Sequence, residues 1–171
     1  MIRGRVHKFR DNIDTDAIIP VTCANVIDPI ELGKHCMENI DPDFVSRVSN
    51  GDIIVAGKNF GCGSSREIAP WSIKGVGIDC VIAESFARIF FRNAINIALP
   101  LIQCPEGVKQ IDDGDVLEIN FNTGEIRNVT KDSFFIAIPY PDFIQDLISC
   151  GGLVEYTKKK LSVGAKSKAF E

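Results

Sequence analysis

The chain has 171 residues, 45% hydrophobic and 25% charged, a length and balance that suit one compact domain with a sizeable core and exclude wholesale disorder. Its net charge of −4 argues against a nucleic-acid partner, and no apolar run nears the roughly 20 residues that span a bilayer. Six cysteines are scattered without a Cys-x-x-Cys pair, which argues against a metal centre built from this chain alone, so no metal ligand is assigned to it.

In chain order, residues 2–8 read as a first strand. It is entered directly and without a signal-peptide core, so the chain is expected in the cytoplasm with its cysteines unpaired. Asp11-Asn-Ile-Asp-Thr-Asp16 reads as an acidic turn before Ala17-Ile-Ile-Pro20, and segment 21–29 as a loop without periodicity. Pro29 opens a short helix toward Met37, and another short helix follows Pro42. His35-Cys36 with Cys23 nearby makes no metal site, because adjacent helical residues point to different faces. Asp52-Ile-Ile-Val-Ala-Gly57 is a buried strand.

The next stretch, Phe60-Gly-Cys-Gly-Ser-Ser-Arg-Glu67, carries the most chemistry. A strand feeding a glycine-rich turn and then a helix over Glu67 to Lys74 offers unpaired N–H groups and the positive end of a helix dipole. Arg66 adds a planar guanidinium suited to a carboxylate, and Ser64 and Ser65 put hydroxyls beside it. A structural reading competes: Ser64-x-x-Glu67 also fits a capping box. Three features favour the anion clamp. Gly61 and Gly63 give more backbone freedom than a cap needs; Arg66 is a cation in the first helical turn; and neither the phosphate-loop nor the nucleophile-elbow pattern is present.

Pro70 either kinks the following helix or starts its second part. Asp79 to Ala83 is a β-branched strand, Ser85 caps a helix through Asn96, and Leu99 to Cys104 is a third parallel strand. Arg88 and Arg92 lie four apart on that helix and read as a solvated face in preference to a partner surface. The order strand–helix–strand through 52–104 predicts a right-handed parallel crossover. Asp115 to Phe121 and Glu125 to Val129 form a hairpin, Phe134 to Ile138 adds a strand, and Pro141 to Ser149 and Leu153 to Lys159 are helical. The class is α/β, a single compact domain over 1–157 with a parallel core and an added hairpin. Residues 158–171 form a lysine-rich tail expected to fray.

Gly61-Cys-Gly-Ser-Ser-Arg-Glu67 and Ser85-Phe-Ala-Arg-Ile89 together resemble the β/β/α swivelling domain of the aconitase superfamily. Asp11-Asn-Ile-Asp-Thr-Asp-Ala-Ile-Ile-Pro20 and Glu67-x-Ala-Pro-Trp71 narrow the likeness to the separate small subunits of 3-isopropylmalate dehydratase and homoaconitase, over residues 2–157. The resemblance implies a hydro-lyase of leucine biosynthesis, working with a large subunit that carries a [4Fe–4S] cluster on three cysteines. It implies Ser64 as the catalytic base, Arg66 as the substrate-carboxylate clamp, and Ser65 and Gly63 as neighbouring substrate-binding positions. Asp11 falls at the edge of the implied active site.

Two positions depart from the family pattern. The loop after Pro20 reads Val21-Thr-Cys-Ala-Asn-Val26 in place of a Tyr-Leu-x stretch, with Asn25 where homoaconitases carry an arginine. That favours an apolar substrate tail packed by Val21, Ala24, Val26 and Ile27, and leaves a dehydratase for another alkylmalate, such as 2,3-dimethylmalate, or a homoaconitase as the alternatives. Ile68 replaces a histidine. A non-catalytic anion-binding or regulatory domain would be marked by loss of Ser64 or Arg66, and both are present. A serine or cysteine hydrolase lacks a partner base, since neither His7 nor His35 sits in a recognisable motif.

Overall fold

Strand β2 (Asp52–Ala56) is buried along its whole length, as a strand covered on both faces must be, and this explains its unbroken apolar run. Its side chains alternate between two cores: Ile54 and Ala56 join one cluster, Ile53 and Val55 the other. The computed structural model describes residues 1–167. Around β2 it arranges β1 (Ile2–Lys8), β3 (Ile78–Ala83), β4 (Leu101–Gln103), β5 (Val116–Asn120), β6 (Glu125–Asn128) and β7 (Ser133–Ile136) in one sheet, ordered β4-β3-β2-β1-β5-β6-β7. Strand β1 is the seam. It pairs parallel with β2, Val6 opposite Ile53, and antiparallel with β5, Ile2 opposite Ile119.

The parallel half steps in one direction across the sheet, so right-handed crossovers put all its helices on one face. These are α1 (Thr15–Ile18), a 3-10 turn (Val21–Cys23), α2 (Pro29–Gly33) and α3 (Phe44–Arg47) before β2, then α4 (Ile68–Gly75) and α5 (Arg88–Asn96). Their Ile18, Leu32, Phe44, Ile73 and Phe90 bury against Ile54, Ala56, Val81 and Ala83 of the sheet. The opposite face is covered by α6 (Pro105–Gln110) and by the antiparallel half curling over it. Ile102 and Cys104, at one end of the strand order, share a core with Phe135 and Ala137 at the other, so the sheet wraps around that core. Tyr140 stands at the gap, its hydroxyl accepting the Leu101 N–H at 2.9 Å and donating to the Leu101 carbonyl. Helices α7 (Asp142–Ser149) and α8 (Leu153–Ser167) complete the described chain.

The α/β class and the parallel strand–helix–strand core stand as read from the sequence; several local expectations do not. Pro70 is the third residue of α4, where its missing N–H has no intrahelical acceptor to lose, so it neither kinks nor restarts the helix. Ser85 does not cap α5, whose N-cap is Ala87; its hydroxyl instead accepts the Asn59 N–H at 2.9 Å. The last parallel strand is three residues long, and α1 and α6 have no counterpart among the elements expected from the sequence. Helix α8 continues into the lysine-rich segment as far as Ser167, where the sequence suggests fraying from Lys158; residues 168–171 of that expectation lie outside the described residues.

Candidate active site

Beyond the carboxyl ends of β1 and β2 the two chain segments keep company without a regular sheet. Gly57 N–H donates to Arg10 O at 3.4 Å, Asn12 N–H to Lys58 O at 2.8 Å, Gly61 N–H to Ile13 O at 2.7 Å and Thr15 N–H to Cys62 O at 2.8 Å. The series ends on a side chain, the Thr15 hydroxyl, which donates to the Ser64 carbonyl at 3.1 Å. On the far side, Phe60 exchanges backbone bonds with Ser85 and Ala87, of 3.0 and 2.9 Å, which seats the turn against the start of α5. The carbonyls of Cys62 and Ser64 are thus committed to Thr15. Among the described residues, the N–H groups of Gly63, Ser64, Ser65, Arg66 and Glu67 meet no acceptor, and both serine hydroxyls are unengaged and exposed. A run of free donors of this kind suits an anion.

The geometry decides between the two readings of Ser64-x-x-Glu67. Helix α4 begins at Ile68 with Glu67 as its N-cap and no side-chain cap bond, so there is no capping box and the Ser64 hydroxyl is not spent on the helix. Arg66 consequently stands just before the helix and not in its first turn. Its Nη1 pairs with the Asp16 carboxylate and lies 3.4 Å from Ile19 O. The edge formed by Nε and Nη2 has no acceptor among the described residues and keeps its two-pronged donor geometry.

The two glycines have different jobs. Gly61, φ +77°, lies so close to Phe90 that a Cβ would stand 2.1 Å from its Cγ, which is how the turn reaches α5. At Gly63, φ +92°, a Cβ would make only ordinary contacts, 3.5 Å from Thr15 Oγ1, and it is the backbone conformation that asks for glycine there. Asp11 is exposed and its carboxylate accepts the Lys58 N–H at 2.8 Å, so it braces the end of β2. Asn25 is exposed in the loop that follows the 3-10 turn. Cys23 anchors that loop and Val26 packs against the core, while Val21 and Ile27 face outward at 63% and 91% exposure. Of the four side chains expected to receive a substrate tail, Val26 is therefore turned to the core. Ile68 also packs against the core, at the first position of α4.

Three residues of the site lie in the segment that reads, from the sequence, as no more than an acidic turn. Asp14 caps α1 by accepting the Ala17 N–H at 2.7 Å, Thr15 holds the serine turn and Asp16 pairs with Arg66. The signal for them in the sequence is Asp14 three residues ahead of Ala17, an N-cap spacing that puts Thr15 and Asp16 on a first helical turn. The neighbouring thiol is a poor nucleophile: burial, then the nearby Asp14 charge, push Cys62 up. Burial raises Cys36 to about 12 and lifts Cys80 and Cys104 as well. Among the described residues, no three His, Cys, Asp or Glu side chains stand together to hold a metal ion, and no helix is long and apolar enough to cross a membrane.

Fold and serine turn together define a domain of the aconitase C-terminal type, and the family model described as "Aconitase C-terminal domain" matches residues 43–107. Closer relatives narrow this. The chain is 54% identical over 165 residues to the 3-isopropylmalate dehydratase small subunit of Caldicellulosiruptor bescii, covering 96% of this chain and 99% of that protein. It is 58% identical over 154 residues to the 2,3-dimethylmalate dehydratase small subunit of Eubacterium barkeri, 90% and 94% of the two chains. The crystal structure of 3-isopropylmalate dehydratase from Methanocaldococcus jannaschii superposes with a TM-score of 0.93 at 47% identity, covering 97% of this chain and 98% of that one. The chain belongs to the family of 3-isopropylmalate dehydratase small subunits. Aconitase relationship implies an iron–sulfur cluster in the working enzyme, and the relatives' naming as small subunits implies a larger partner for them.

Proposed function

We propose that this chain is the small subunit of a cytoplasmic hydro-lyase that interconverts 3-isopropylmalate and 2-isopropylmalate, a step of leucine biosynthesis. The observation that carries the reading is the serine turn itself: a free hydroxyl at Ser64, unpaired N–H groups from Gly63 to Glu67, and the open Nε–Nη2 edge of Arg66. Ser64 serves as the base, taking the proton from the carbon next to a substrate carboxylate. Arg66 grips that carboxylate through two parallel hydrogen bonds and so stabilises the negative charge that develops beside it. A serine hydroxyl does not ionise unaided, and the N–H array with Arg66 supplies the stabilisation its alkoxide needs. Ser65 and Gly63 offer a hydroxyl and an N–H to the other substrate oxygens. Transfer of the proton to Ser64 and loss of the hydroxyl from the adjacent carbon together remove the elements of water, which are added back with the two carbons exchanged.

The thiols of this chain do not fit a cluster, being scattered, mostly buried and pushed toward the protonated form. We therefore assign the [4Fe–4S] cluster, as Lewis acid, to three cysteines of the large subunit, and the roles of Ser64, Ser65 and Arg66 do not run through it. Asn25 puts no cation in the loop beyond Arg66, which favours an alkyl tail over a third carboxylate. The relative named for 2,3-dimethylmalate makes that substrate the alternative to assay.

The test is reconstitution with the matching large subunit and cluster. The complex is expected to turn over isopropylmalate, and Ser64→Ala to lower kcat by about 10²–10⁴-fold. Ser64 is exposed and caps nothing, so the variant chain should melt within about 0.5 kcal/mol of the parent. Full turnover by Ser64→Ala, or by the chain without its partner, would overturn the assignment.

A further inference from the structure

We infer that Thr15 and Asp16, the first two residues of α1, are positioning residues for this reaction, Thr15 for the base and Asp16 for the clamp. The inference rests on the reading of Ser64 as base and Arg66 as carboxylate clamp. Thr15 is 2% exposed, and a hydroxyl buried so deeply must find a partner. It spends its proton on the carbonyl of Ser64, while its N–H takes the carbonyl of Cys62. In a trans peptide the carbonyl and the following N–H lie in one plane and point in opposite directions. Pulling the Cys62 and Ser64 carbonyls toward Thr15 therefore turns the N–H groups of Gly63 and Ser65 away from it, onto the open side where the serine hydroxyls stand. One side chain and its own N–H thus set the direction of two of the donors on which an alkoxide would depend.

Asp16 does the matching work on the cation. Its carboxylate holds Nη1 of Arg66, and the Ile19 carbonyl lies 3.4 Å from the same nitrogen. With Nη1 occupied, the guanidinium can present only its Nε–Nη2 edge to a substrate carboxylate. The frame beneath is firm, since the Asp14 carboxylate caps α1 and Ile13 and Ile18 are buried in the core. The two residues act on different partners and so predict different kinetic signatures.

The experiment compares Thr15→Val, Thr15→Ser, Asp16→Asn and Ser64→Ala in the reconstituted complex. It adds amide hydrogen exchange in the chain alone at Gly61 and at position 15, whose N–H groups tie the serine turn to the segment after β1. Thr15→Val is expected to lower kcat by about 10- to 100-fold while KM moves less than about threefold, because a misplaced base costs rate and not ground-state binding. Thr15→Ser, which keeps the hydroxyl, recovers most of that rate. Asp16→Asn raises KM by about tenfold with a smaller change in kcat. In the chain alone, Thr15→Val speeds exchange at the Gly61 N–H and at the N–H of position 15, which bond Ile13 O and Cys62 O, and Thr15→Ser does not. Equal impairment by Thr15→Val and Thr15→Ser, or a Thr15→Val complex at the parental rate, would overturn the role of Thr15. An unchanged KM for Asp16→Asn would overturn that of Asp16. A fully active Ser64→Ala complex would strike the base assignment instead, and the exchange rates alone would then decide whether Thr15 sets the turn.

Discussion

Replacing each glycine of the serine turn by alanine separates what holds the turn in place from what the turn does. At Gly61 the new methyl would stand 2.1 Å from Phe90 Cγ and 2.5 Å from its Cβ, on a φ of +77°. At Gly63 the nearest atom is Thr15 Oγ1 at 3.5 Å, ordinary contact, on a φ of +92°. A positive φ costs an L-residue about 1–2 kcal/mol, and forcing an extra methyl into packed surroundings costs about 1–3 kcal/mol more. Gly61→Ala should therefore lose about 2–5 kcal/mol and Gly63→Ala about 1–2 kcal/mol. At about 2–4 °C per kcal/mol for a chain of this size, the melting temperature drops by roughly 4–20 °C and 2–8 °C. Scanning calorimetry of the chain alone reads both. The clash with Phe90 is specific, so a Phe90→Leu background should shrink the Gly61→Ala penalty and leave the Gly63→Ala penalty unchanged. In the assembled enzyme the order inverts: Gly63→Ala, which redirects the free N–H groups, costs more turnover than stability. Equal melting drops, or no coupling to Phe90, would refute the claim that Gly61 seats the turn on α5.

Asp52 is buried and accepts from His7 at 2.9 Å and from the N–H groups of Ser49 and Arg5 at 2.9 and 3.1 Å. Burial raises its carboxyl, but the bonds from His7, Ser49 and Arg5 outweigh burial and hold it below the usual value. A carboxyl lowered on folding stabilises the protein above its unfolded pKa of about 4, and that stability fades as pH falls through the folded value. Urea midpoints should drop below about pH 4 in the parent and drop less in Asp52→Asn, whose stability is already reduced at pH 7; parallel slopes would refute this. Asn25→Arg should raise the preference for a carboxyethyl over an isopropyl tail by about tenfold in kcat/KM, and no change would mean the loop after Pro20 does not read the tail. A thiol reagent at neutral pH should label the half-buried Cys150 and Cys62, with Cys23, Cys36, Cys80 and Cys104 reacting only after unfolding; fast labelling of Cys36 would contradict its burial.

The sheet is legible in the sequence because its periodicity is unambiguous: Ile53-Ile-Val-Ala56 is apolar on both faces, and Leu117, Ile119 and Ile126 alternate with polar residues. Local chemistry alone misplaces the helix caps. Ser64 and Ser85 both look like caps in the sequence, yet each helix begins three or four residues later, because tertiary backbone bonds claim those segments first. The motif singles out Ser64 and Arg66 as candidates. It cannot find Thr15 or Asp16, whose contacts with the turn exist only once the chain after β1 lies beside the chain after β2, some 50 residues along the sequence. Asp11, expected at the edge of the site, has its carboxylate on the Lys58 N–H, a contact the sequence does not announce.

On the proposed assignment, the location of the turn explains what a partner would add. Ligand crevices in parallel sheets form outside the carboxyl ends of the strands, and the extensions of β1 and β2 meet there. Yet Gly63, Ser64 and Ser65 are exposed, so water competes for each free N–H and screens Arg66 from whatever anion it meets. Two unit charges 4 Å apart interact by about 1 kcal/mol in bulk water and about 4 kcal/mol at an effective dielectric near 20. Covering this face therefore adds about 3 kcal/mol per close charge pair without moving any residue of the chain, a part of the stabilisation that a serine base would draw on. The small subunit brings donors already aimed by Thr15 and a cation already oriented by Asp16. On the proposed assignment, the large subunit contributes its cluster and also the dry surroundings in which those donors can hold an alkoxide.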